Sequence, residues 1–238
     1  MKKIIALCVL VLVFLSTSAA QKNIVPNPSL ESGNYFEQWG SPQDSRPDKW
    51  HPGYRGTGDQ SYFAYHWAGH SGQECVRVEI SRNYTGDAKW YFEPVSVEPG
   101  KLYEIADWYV SSIPSQMYAA FGLTDGTVKI TALRQTPAYP YGWTAYYDTV
   151  WAPENAVNVS LFHAIAQAGW LVTDDYYMGL APSDVVLMEK SKVAAAKTAT
   201  ERKAKIARDE EIRIMLESIA KTGIPKVDGD MIIVPANS

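Results

Sequence analysis

The sequence predicts an all-β fold, a two-sheet antiparallel jelly-roll sandwich over residues 21–182, followed by a long C-terminal α-helix. Three observations predict it. From Asn23 to about Leu180, apolar and polar residues alternate in short runs, and no helical period survives. Gly, Pro, Asn and Asp separate those runs at the regular spacing of sandwich turns. Past Pro182 the character changes: residues 184–221 hold no proline or glycine, alanine is frequent and charges interleave.

Residues 1–20 carry Lys2 and Lys3, an apolar run from Ile4 to Leu15, and Ser18-Ala19-Ala20, the three-part layout of a secretory signal cleaved after Ala20. Cys8 lies inside the apolar run and not at the cleavage site, which argues against a lipid anchor. No later stretch is apolar over the roughly 20 residues a membrane helix needs. The expectation is a secreted protein, extracellular or periplasmic.

In the sandwich region the clearest strands run over Glu74 to Ile80, Ala88 to Val97, Leu102 to Ser111, Met117 to Thr124, Thr127 to Arg134, Trp143 to Val150, Val157 to Ile165 and Trp170 to Met178. Asp125-Gly126 is a two-residue hairpin signal, and Glu98-Pro99-Gly100-Lys101 supplies a tight turn. The stretch Tyr35 to Tyr65 reads as long loops, with GYRGTGD (Gly53 to Asp59) flexible.

The helix occupies residues 183–223, capped by Asp184 or Ser183 and ended by Gly223 and Pro225. Its apolar positions are uneven. Val185 to Met188 and Ile206 to Ile219 are rich, whereas Val193 to Ala204 offers little besides alanine. That pattern fits a helix that docks at its ends, or one that pairs with a partner or a second copy. The tail, residues 224–238, contains MIIVP, suited to a short edge strand or an anchor.

The net charge of −4, more negative once Lys2 and Lys3 leave, argues against a nucleic-acid partner. Without its signal the chain has one cysteine, Cys75, so no internal disulfide forms; its place in the alternating run ECVRVEI marks a buried, inert thiol. Eight Trp and fifteen Tyr against six Phe favour rings with a polar edge, suited to half-wet faces.

Catalytic constellations fail one by one. Gly69-His70-Ser71-Gly72 lacks the glycine that a nucleophile elbow needs where Gln73 stands. His66 and His70 have a helical zinc spacing but lie in a turn-rich stretch. Asp87, Glu93, Glu104, Asp107 and Asp125 are possible members of a carboxylate pair that spacing alone does not establish. Asp107 shares the strand face of Tyr103, Ile105 and Tyr109; if that face is the core, its carboxylate needs a buried partner. The expectation is a protein that is not an enzyme.

Four stretches, in order, carry a family resemblance. NIVPNPSLESG (Asn23 to Gly33), His70-Ser71-Gly72 with Val76-Arg77-Val78, VEPGKLY (Val97 to Tyr103) and Thr173-Asp174-Asp175-Tyr176 together resemble carbohydrate-binding modules of the CenC type, families four and nine. Leu30 stands where the family usually has an aromatic residue. The resemblance implies a galactose-binding-like jelly roll, often with one structural Ca²⁺ near the N terminus. Glu31 and one of Asp174 or Asp175 occupy the positions of its carboxylate ligands.

The resemblance also implies a polysaccharide or glycan ligand, held by aromatic rings and polar side chains on a sheet face or in edge loops. On the sheets, alternation points to Trp90 and Trp108, with Arg134, Gln135 and His163 as polar contacts; in the loops, Trp50, Tyr54 and Trp67 form a second set. The other reading is a structural or interaction protein whose sandwich and helix mediate extracellular assembly.

Overall fold

A computed structural model describes residues 21–34, 45–56, 61–65, 68–82, 85–222, 226–228 and 231–233. The expected signal, the helix stop at Gly223 and Pro225, and Trp67 and His66 lie outside the described residues. The chain divides between Ala181 and Pro182 into two compact units.

The first unit contains β1 (Gly33–Asn34), β2 (Arg46–Pro47), β3 (Trp50–Gly56), β4 (Ser61–Tyr65), β5 (Val76–Ile80), β6 (Gly86–Phe92), β7 (Val95–Ser96), β8 (Leu102–Ser111), β9 (Ser115–Leu123), β10 (Val128–Thr136), β11 (Tyr139–Trp151), β12 (Ala156–Ile165) and β13 (Gly169–Leu180). One sheet has the order β10-β9-β12-β6-β3, with β7 also on β12; the other has β11-β8-β13-β5-β4; β1 and β2 form a separate ribbon. All these pairings are antiparallel. The chain passes from β3 in the first sheet to β4 and β5 in the second, back to β6, across to β8, and back to β9 and β10. This repeated crossing makes the sandwich a jelly roll.

Binary alternation explains why these segments pair as they do. In β8, Tyr103, Ile105, Asp107 and Tyr109 are buried, while Glu104, Ala106, Trp108 and Val110 are half-exposed. In β6 the inward set is Ala88, Trp90 and Phe92, all apolar. The two inner faces meet over Trp50, Trp90, Phe92, Phe121, Tyr146 and Tyr176. Trp50 packs against Tyr176 at 4.7 Å and Phe92 at 5.4 Å between ring centroids, and its indole N–H donates to Pro26 O at 2.9 Å. Each such side chain contributes roughly 1.5–3 kcal/mol by leaving water.

The stretch expected to loop before Tyr65 instead supplies β3 and β4. Gly53, Tyr54, Arg55 and Gly56 pair with Lys89, Ala88, Asp87 and Gly86 of β6. Proline and glycine hid this strand because they weaken the alternation that marks one. Gly53 has a packing reason: a Cβ there would lie 2.9 Å from the Tyr91 ring.

The opening segment is tied to the last strand. Asn23 donates through Nδ2 to Tyr176 O at 2.9 Å and accepts at Oδ1 from Met178 N at 3.0 Å. Ile24 N donates to Met178 O, and Tyr176 N to Pro28 O, each at 2.8 Å. Leu30 is fully buried, and its carbonyl accepts from Tyr65 OH at 2.8 Å. Cys75 is buried and free, and burial pushes its thiol up to about 12, which keeps it protonated and inert.

In the second unit, α1 (Ser183–Thr222) starts with Val186 N donating to Pro182 O at 2.9 Å. β14 (Lys226–Asp228) and β15 (Met231–Ile233) pair with each other as a hairpin. Among the described residues no helix is long and apolar enough to cross a membrane.

Candidate functional site

The outer face of the β10-β9-β12-β6-β3 sheet carries a cross-strand row of rings. Register places Ala132 beside Tyr118, Tyr118 beside Phe162, Phe162 beside Tyr91 and Tyr91 beside His51, so one row crosses five strands. Tyr118 and Phe162 stack with centroids 5.1 Å apart, and Tyr91 and His51 lie at 5.6 Å. Lys89 Nζ sits 5.0 Å above the Phe162 ring.

The two flanks of this row differ in chemistry. On one side a depression of about 310 Å³ is lined by Asp87, Gln116, Gln135 and Gln167 with the Tyr118 ring. Asp87 there is held by Arg55 at 2.9 Å and by Lys89. On the other side a depression of about 290 Å³ is lined by Tyr91, Pro94, Ala120, Val128, Ile130 and Phe162. Val128 and Ile130 are 64% and 55% exposed, so this flank is apolar and open to solvent.

Of the residues expected to touch ligand, Gln135 lines the polar depression. Three expectations are corrected: Trp50, Trp90 and His163 are enclosed in the core, at 0%, 2% and 1% exposure, and present no face to a ligand. The Trp90 indole N–H is spent on Arg77 O at 3.0 Å. Tyr54 is exposed on β3 but lines neither depression. Arg134 ties two edge strands together, its guanidinium donating to Tyr147 O at 2.6 Å and its backbone N–H to Asp148 Oδ2 at 2.9 Å. Trp108 does face outward on the second sheet, but His70 covers it, the two rings stacked at 3.9 Å and 12°.

Tyr91, Tyr118, Phe162, Lys89 and Gln116 were missed by sequence reasoning. The signal for two of them was present: in GDAKWYF, Ala88, Trp90 and Phe92 form the wholly apolar set, so Lys89 and Tyr91 must face water.

His163 has another role. Its Nδ1 meets Asp107 Oδ2 at 2.8 Å and its Nε2 lies 2.9 Å from Ser115 Oγ and 3.2 Å from Thr136 Oγ1. This is the buried partner that Asp107 requires. All four side chains are buried, at most 4% exposed, so the bond chain braces the core and reaches no substrate.

The carboxylates expected at a calcium site gather around the loop from Gly69 to Glu74. Glu31 Oε1 accepts from Gln73 N at 3.0 Å and Glu74 N at 2.9 Å; Asp174 Oδ2 accepts from His70 N at 2.7 Å and Ser71 N at 3.2 Å. Asp175 is committed elsewhere, with Oδ2 at 2.6 Å from His70 Nδ1 and Oδ1 at 2.6 Å from Ser71 Oγ. Burial pushes the Asp174 carboxyl up to about 7, and the neighbouring Asp175 charge adds to the rise. Among the described residues, no three His, Cys, Asp or Glu side chains are grouped to hold a metal by themselves. Oxygens do converge there: the Glu74 and Ser71 carbonyls and Asp174 Oδ2 lie 2.5, 3.0 and 3.0 Å from where a Cβ on Gly69 would sit.

No protein-family model matches this chain, and no curated protein does. Solved structures do. The family-22 module and catalytic domain of Clostridium thermocellum endo-1,4-β-D-xylanase 10B, complexed with xylohexaose, is 15% identical, with a TM-score of 0.46 over 57% of this chain and 27% of that one. The enzymatically active domain of bacteriophage CBA120 tailspike protein 4 is 13% identical, with a TM-score of 0.49 over 67% and 21%. A xylan-binding family-22 domain from Paenibacillus barcinonensis Xyn10C is 12% identical, with a TM-score of 0.40 over 55% and 87%. The chain thus spans about a quarter of the first of these proteins and a fifth of the second.

Proposed function

We propose that this chain is a secreted, non-catalytic carbohydrate-binding module of CenC-like type, whose glycan lies across the aromatic row of the β10-β9-β12-β6-β3 sheet. The observation that carries this reading is the row itself: half-exposed Tyr118 and Tyr91 on either side of Phe162 on an outer face, with Gln116, Gln135 and Asp87 along one flank. A pyranose offers an apolar C–H face to such rings and hydroxyls to such polar groups. The four CenC-like stretches of the sequence support the same reading.

Tyr118→Ala and Tyr91→Ala are each expected to weaken polysaccharide binding tenfold or more in pull-down and calorimetry, without lowering the melting temperature by more than a few degrees. Unchanged binding by both folded variants would remove the site from this face.

One structural Ca²⁺ belongs to the same proposal, held by Glu31 and Asp174 with the Ser71 and Glu74 carbonyls. The fit rests on the donor chemistry: hard oxygens around a buried carboxyl, in a loop that joins the opening segment to the last strand. Calcium at a hundredfold excess over its dissociation constant stabilises by about 2.7 kcal/mol. A rise in melting temperature of roughly 5–10 °C is expected over chelator-treated protein. Asp174→Asn is expected to abolish that rise.

A second reading, assembly through α1, is favoured by one observation: Leu187, Met188, Val193, Ile206 and Ile214 are all more than half exposed. Deletion of residues 184–238 is then expected to convert an oligomer to a monomer in light scattering, with sugar binding intact.

A further inference from the structure

The strand β10 is patterned the wrong way round for an edge in water. Its period-two set Val128, Ile130 and Ala132 faces outward and is exposed, while Lys129 and Thr131 take the alternate positions. An edge strand ordinarily turns charge and polarity outward, because an apolar exposed edge invites aggregation. Here the outward apolar set is continuous with the aromatic row: Ile130 pairs with Ala120 and Val128 with Gly122, one and two rungs beyond Tyr118. Pro94, Phe162 and the Tyr91 ring complete the depression.

Besides Ser160, that flank offers sugar hydroxyls mainly the side chains of Lys89 and Asn158, in an otherwise apolar lining. Ser160 is buried and donates its hydroxyl to Phe92 O at 2.6 Å, so it is already engaged. The opposite flank is the reverse, with Gln135 and Gln167 supplying donors and acceptors beside Gln116, whose Nε2 donates to Met117 O and Leu133 O, and Asp87, held by Arg55 and Lys89. A bare glycan placed across the row would satisfy one flank and leave the other wetting apolar surface. The depression of about 290 Å³ has room for roughly ten heavy atoms at the ~30 Å³ that a water molecule occupies in the liquid.

We infer that the ligand is a glycan bearing an apolar ester substituent, an acyl or aryl group of about six to ten heavy atoms. Its sugar hydroxyls lie over Gln116 and Gln135, and its substituent over Val128 and Ile130. The inference rests on the carbohydrate-binding reading and deepens it by naming the substrate class. Burial of the substituent removes apolar surface of both partners from water, which gives the substituted sugar its preference.

The test uses the full chain against a panel of neutral oligosaccharides, β-glucan, xylan, mannan and galactan fragments. Each is presented bare, hexanoylated and benzoylated, with free hexanoate and benzoate as controls. Esters of at least one sugar are expected to bind tenfold or more tighter than the bare sugar, and the stronger of the two ester arms identifies the substituent as acyl or aryl. The gain is expected to vanish in Val128→Ser with Ile130→Ser, two exposed positions, while affinity for the bare sugar stays unchanged. Equal binding of bare and substituted forms overturns the inference and leaves the carbohydrate reading standing. Binding of free hexanoate or benzoate as tightly as the ester also overturns it. Failure of every oligosaccharide in every form overturns the carbohydrate reading itself.

Discussion

His163→Ala is expected to destabilise the sandwich by about 3–5 kcal/mol, the loss typical when one partner of a buried, hydrogen-bonded ionisable pair is removed. Asp107 is fully buried, its Oδ1 has no hydrogen-bond partner, and its Oδ2 depends on His163 Nδ1. Taking away the imidazole leaves the Asp107 carboxyl with neither oxygen bonded, and it removes one partner each from Ser115 and Thr136, which keep their bond to each other. For a domain of this size each kcal/mol moves the melting temperature by roughly 2–4 °C, so a drop near 10 °C or more is the expected reading. The double replacement Asp107→Leu with His163→Leu is expected to cost less than His163→Ala alone, because it removes both polar groups together. A double-mutant cycle by urea unfolding measures this coupling. A loss below 1 kcal/mol for His163→Ala would show that the network is not what braces the two sheets.

Trp50→Ala and Trp90→Ala are expected to cost about 3–5 kcal/mol each while leaving glycan affinity unaltered below the melting temperature. Trp50 fills the space between β3 and Tyr176 and bonds Pro26 O, and Trp90 meets Phe63 edge-on at 5.9 Å and bonds Arg77 O. Each indole removed leaves a cavity and breaks an N–H···O bond. Tyr118→Ala presents the opposite profile, with binding lost and stability nearly kept. Paired melting curves and titrations on the three variants therefore separate core from site. A Trp50 variant that melts normally and fails to bind would return that ring to the ligand.

Much of the sandwich was legible because its strands are long and strictly alternating. Leu102 to Ser111 was readable end to end, and with it the burial of Asp107 and the outward turn of Trp108. The strand from Trp50 to Gly56 was not, since Pro52, Gly53 and Gly56 mimic a loop while pairing with β6. The candidate site was harder for a different reason. A row across five strands is made by register, and register depends on turn geometry and bulges that one segment cannot reveal. Alternation separates Trp90 from Lys89 and Tyr91, and the apolar company of Ala88 and Phe92 places the Trp90 face inside, not outside. His163 looked like a surface contact because its inward position is adjacent in sequence to Phe162, which faces the other way. The cover that His70 lays over Trp108 joins residues 38 apart along the chain, beyond the reach of any local pattern.

The Asn23 clamp on Tyr176 and Met178 closes spans of 153 and 155 residues. The segment around Asn23 must therefore wait for β13 before it finds its place. Until then Leu30 has no burial site and the β13 backbone lacks an edge partner at those positions. Such long-range closure makes folding slow and leaves the nascent chain sticky, so this sandwich is expected to depend on chaperones more than a helical protein of its length.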